Sequence, residues 1–85
     1  MRLTPIESRL VDILVVPGAH PARDVAAAIW PASDPEDMLY ELRVYVSRLR
    51  LIGYTICNEP IAGTRRFAGY RLLALPFGRR SVETN

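Results

Sequence analysis

Residues 42-LRVYVSRLR-50 set three arginines, Arg43, Arg48 and Arg50, among five apolar residues and one serine. In a strand, side chains alternate, so Leu42, Val44, Val46, Arg48 and Arg50 would share one face. Burying two guanidiniums without partners is prohibitive for the small core that a chain of 85 residues builds. At helical pitch the same residues separate cleanly. Leu39, Leu42, Val46 and Leu49 recur at i, i+3, i+7 and i+10 and form one apolar stripe. Tyr40, Val44, Ser47, Arg48 and Leu51 fall on the far side, with Arg43 and Arg50 flanking the stripe. The segment is predicted to be a helix. Its outward face mixes guanidinium, hydroxyl and methyl groups, the mixture with which a helix reads the DNA major groove.

Local signals bound this helix. In 31-PASDPED-37, Ser33 or Asp34 can cap, Pro35 suits the first helical position, and Glu36 and Asp37 favour the positive end of the dipole. The helix is expected from about Pro35 to Ile52, with Gly53 as its stop. Two helices precede it. In 4-TPIESRLVDILVV-16, Thr4, Pro5 and Glu7 have the spacing of a capping box, Ile6, Leu10, Ile13 and Leu14 share a face, and Pro17-Gly18 ends the element. In 21-PARDVAAAIW-30, Pro21 opens the helix, Val25, Ala28 and Ile29 form its stripe, and Pro31 stops it. Its alanines permit a close helix crossing. After Gly53 the period changes. Tyr54, Ile56 and 65-RRFAGYRLLAL-75 are predicted to form two strands joined by the turn-rich 58-NEPIAGT-64, with Gly69 marking a bulge or tight bend. The expected organisation is one α+β domain over residues 1–75 and a frayed tail over 76–85.

Charge is unevenly distributed. Residues 1–41 carry three arginines against seven acids, a balance of −4; residues 42–85 carry eight against two, a balance of +6. The chain contains no lysine, so every fixed cation is a guanidinium that can fork onto phosphate or guanine. The arginine-rich half suggests one face for a polyanion.

Taken in order, LTPIESRLVDILVVPG, DVAAAIWP, LRVYVSRLR and TRRFAGYRLLA resemble the winged helix-turn-helix DNA-binding domain of the OmpR/PhoB type, over about Leu3 to Leu75. The resemblance implies three helices followed by a two- to three-stranded antiparallel wing, with the third helix in the major groove and the wing (about 54–75) at the adjacent minor groove. It assigns base-facing roles to Arg43, Val44, Ser47 and Arg48 and phosphate-facing roles to Tyr45 and Arg50. Trp30, ending the second helix, would touch the DNA backbone. In the wing it assigns Thr64, Arg66 and Tyr70. The chain departs from the family in having Arg43 where an acid is usual, Phe67 where glycine is usual, and LIGYTI in place of a basic continuation of the helix. A stand-alone module without a receiver domain is expected, and phosphorelay control is not implied.

Other chemistry finds little support. One histidine, His20, expected in a turn, and one cysteine, Cys57, assemble no nucleophilic set and no metal site, and no glycine-rich phosphate cradle is present. No apolar run approaches the ~18 residues that span a bilayer, and the N-terminus lacks the apolar segment of a signal peptide. The expected protein is a non-enzymatic, cofactor-free, cytoplasmic and nucleoid-associated regulator of transcription, bacterial or phage in type. It would bind double-stranded DNA as a homodimer or cooperative array, with no membrane or small-molecule partner. The alternative is a winged helix used as a protein-interaction module, an adaptor or an inhibitor of another complex.

Overall fold

The computed structural model describes residues 2–60 and 67–76, with the backbone alone for Phe67 and Ala68. The elements are α1 (Pro5–Leu14), β1 (His20–Pro21), α2 (Ala22–Ile29), a 3₁₀ turn (Pro35–Met38), α3 (Leu39–Ile52), β2 (Thr55–Pro60) and β3 (Phe67–Ala74). The strands form one antiparallel sheet in the order β1-β3-β2. Three helices with this sheet make a small α+β fold with the layout of a winged helix.

The capping box at α1 is complete. Thr4 Oγ1 accepts from the Glu7 amide at 3.2 Å and Glu7 Oε1 accepts from the Thr4 amide at 2.9 Å, so two orphan donors are satisfied together. The helix closes at Leu14, with Val15 as its C-cap. His20 is not in a turn. It pairs with Tyr70 and Pro21 pairs with Gly69, while a ring nitrogen of His20, Nε2, hydrogen-bonds the Val16 carbonyl at 2.7 Å. A two-residue strand has no periodicity to detect, and its existence depends on a partner some fifty residues away.

In α2 the buried residues are Val25, Ala26 and Ile29, and Ala28 is exposed, which corrects the expected stripe. Ala26 and Ala28 lie equally far around the helix from the Val25–Ile29 line, so the pattern alone does not choose between them. Tertiary packing chooses Ala26, which is fully buried in the core that α2 shares with α1, α3 and the sheet.

The third helix starts differently from expectation. Asp34 is the cap, its Oδ1 accepting from the Glu36 amide at 2.9 Å, but residues Pro35–Met38 form a 3₁₀ turn and α-helical geometry begins at Leu39. Gly53 ends α3 with φ 129°, and its amide reaches the carbonyls of Leu49 and Arg50. The β2 strand continues to Pro60, so Asn58 and Glu59 belong to the ladder rather than the connection. Pro60 is tolerated because it ends an edge strand. The register slips by one at Ala68, beside Gly69, and again at Leu73. The first slip is the bulge that Gly69 signals; the second has no glycine to announce it.

The core gathers Leu10 and Leu14 of α1, Val25, Ala26 and Ile29 of α2, Leu42, Val46 and Leu49 of α3, and Ile56 and Tyr70 of the sheet. Burial of each large side chain contributes about 1.5–3 kcal/mol. Because Leu42, Val46 and Leu49 are all buried, the opposite face of α3 is held outward.

Candidate nucleic-acid interface

The outward face of α3 follows from its inward one. Ser47 and Leu51 are exposed, Leu51 to 88%, and Val44 is half-buried. Tyr40, 71% exposed, lies toward the helix start on the same side. Guanidiniums stand on both flanks.

On the flank toward the wing, Arg43 and Arg50 line a cleft of about 270 Å³ with Val46, Ser47, Asn58 and Tyr70. Arg50 is fixed there. Its Nε donates to the Ile56 carbonyl and its Nη2 to Asn58 Oδ1, both at 2.9 Å. It therefore ties α3 to β2 as well as carrying charge into the cleft. No hydrogen bond or ion pair among the described residues holds Arg43. Tyr70 is only 3% exposed and belongs to the core. Burial pushes its hydroxyl up from the ordinary range, opposed by the positive charges of Arg50 and Arg43. The cleft is thus basic, with a phenol buried at its base.

On the other flank Arg48 reaches toward α1. Its Nη1 is 3.8 Å from Glu7 Oε2, and its guanidinium lies over the Tyr45 ring at 5.5 Å from the centroid. Tyr45 in turn packs on Trp30, with centroids 6.1 Å apart and the rings tilted by 45°. Trp30 and Tyr45 are half-buried and pack against the core. These three residues, expected at a DNA surface, form a stack that joins the end of α2 to α3. Glu7 beneath them is the one buried charged residue among those described. Burial, and then the Glu7 charge, push the Tyr54 hydroxyl upward. A capping role for Glu7 is legible in the sequence; its place under Arg48 is not, because the two are far apart in the chain.

The remaining described cations differ in availability. Arg71 forks onto Glu59 of the neighbouring strand, Nε to Oε2 at 2.8 Å and Nη2 to Oε1 at 3.3 Å, and this hydrogen bond and charge raise its pKa. Arg23 pairs with Glu36. Asn58, which the sequence did not single out, closes the cleft beside Arg50. Thr64 and Arg66, the expected wing contacts, lie outside the described residues, as does Arg65. Among the described residues no three His, Cys, Asp or Glu side chains are grouped to hold a metal ion, and no helix is long and apolar enough to cross a membrane.

No family model, curated protein or solved structure matches the chain.

Proposed function

We propose that the chain is a sequence-specific double-stranded DNA-binding regulator of transcription, a winged helix-turn-helix of the OmpR/PhoB type. In this reading α3 enters the major groove, and the β2–β3 wing meets the adjacent minor groove. Phosphate contacts supply much of the affinity. A domain this small offers few contacts, so useful specificity requires a homodimer or an array on repeated half-sites. The observation that carries the reading is the outward face of α3. It presents a hydroxyl and branched apolar groups between guanidiniums on both flanks, beside a hairpin. The exposed side chain of Leu51, with Tyr40 on the same side, favours a second reading as a protein-interaction module.

A duplex titration across salt concentrations separates the two. If the three arginines of α3 each neutralise a phosphate, log affinity falls against log salt with a slope of about −3. A salt-independent interaction, or no duplex binding at low salt, puts the protein-interaction module ahead.

A further inference from the structure

At helical pitch Val44 and Leu51 lie nearest the line opposite the Leu42, Val46 and Leu49 stripe, with Ser47 and Arg48 to either side of it. Val44, Ser47 and Leu51 recur at i, i+3 and i+7 as a stripe along the outward face, with Val44 half-buried, Leu51 exposed and Ser47 also lining the wing-side cleft. Arg43 and Arg50 lie on one side of this outward stripe, at the wing, and Arg48 lies on the other, toward α1. The family resemblance assigns base-facing roles to Arg43 and Arg48, whereas helical pitch sets Arg43 beside the core stripe and Arg48 on the far side. The cleft beside Arg43 and Arg50 and the contacts of Arg48 with Glu7 and Tyr45 set guanidiniums on both sides of Val44 and Leu51.

We propose that this outward stripe reads thymine methyl groups, so that the preferred half-site carries A·T pairs under Val44 and Leu51. The proposal rests on the DNA-binding reading above. Thymine is the base that presents a methyl in the major groove, and an aliphatic side chain recognises it by apolar contact. The groove is about 12 Å wide, and a helix with its side chains is about 10–12 Å across. A helix seated with this stripe toward the groove floor therefore carries its flanking arginines toward the two rows of phosphates. Seven residues of helix rise about 10 Å, so the two contacts fall about three base pairs apart. Charge complementarity favours DNA as the occupant. The apolar stripe is one residue wide and bracketed by like charges, which suits a groove between phosphate rows better than a broad apolar protein surface. Ser47 adds a hydroxyl that can donate or accept between the two contacts.

Short duplexes of alternating adenine and thymine, compared with the same duplexes carrying deoxyuridine for thymidine, differ only in the methyl. The full chain should bind the thymine duplex more tightly by about fourfold for each methyl buried. The Val44→Ala/Leu51→Ala variant, with its fold verified by circular dichroism, should lose most of that preference, because alanine offers a single methyl that reaches less far; alanine is a strong helix former, and Leu51 is outside the core. Equal affinity of the unmodified chain for both duplexes overturns methyl readout and leaves DNA binding standing. A preference undiminished in the double variant also overturns it, assigning the preference to DNA shape. Failure to bind either duplex at low salt overturns the DNA reading itself and gives the stripe to a protein partner.

Discussion

Arg50 shows how one side chain can serve fold and site together. By periodicity it flanks the core stripe, and the family resemblance makes it a phosphate contact. Its two hydrogen bonds to β2 give it a structural role as well. Arg50→Ala should therefore lower stability by roughly 1–2 kcal/mol, because the Ile56 carbonyl and Asn58 lose a charged donor. It should also flatten the salt dependence of duplex binding by about one unit. Arg50→Lys keeps the charge but not the fork, so it should retain the salt slope while losing part of the stability. Urea midpoints and salt titrations on the same three proteins check this. Full stability in Arg50→Ala would mean that the tie to β2 contributes nothing measurable.

At the scale of elements, what the sequence made legible was local. Thr4, Pro5 and Glu7 sit within one turn, and their capping box forms as the spacing requires. Leu42, Val46 and Leu49 specify the buried face of α3 through the helical period alone. What stayed hidden depends on distant partners. The two-residue β1 exists only against β3. Ala26 rather than Ala28 is buried because other helices arrive on that side. Arg48 meets Glu7 across a large sequence separation, so that contact was not readable from helical pitch. Gly53 combines both kinds of information. A stop was expected there, and it adopts φ 129°; a Cβ would also stand 3.2 Å from the side chain of Pro76, two residues past β3. Gly18 has φ 110° but open space around it. Both alanine substitutions incur backbone strain of about 1–3 kcal/mol, and Gly53→Ala adds a steric term. Chemical denaturation should place Gly53→Ala clearly below Gly18→Ala. Equal losses would show that Pro76 yields without cost.

For the whole molecule, the charge asymmetry of the sequence becomes a polarity along α3. Asp34 caps the 3₁₀ turn, Glu36 and Asp37 lie within it, and Glu41 occupies the first turn of α3, whereas Arg43, Arg48 and Arg50 follow. This order also suits the helix dipole, with acids at its positive end and a cation in its last turn. A duplex lying over the helix would be drawn to the arginine half and the wing and repelled from the acidic start. At physiological ionic strength the Debye length is about 8 Å, so only carboxylates close to the phosphates matter. Glu41 shares α3 with the arginines, while Asp12 is an exposed residue of α1. Each neutralisation, Glu41→Gln or Asp12→Asn, changes net charge by the same amount, and both sites are exposed, so folding should be little affected. Glu41→Gln should tighten duplex binding severalfold near physiological salt, and the gain should shrink as salt rises. Asp12→Asn should change it little. Equal gains from the two variants would mean that affinity follows overall charge, with no defined DNA face. A gain confined to Asp12→Asn would place the DNA over α1 and remove α3 from the groove.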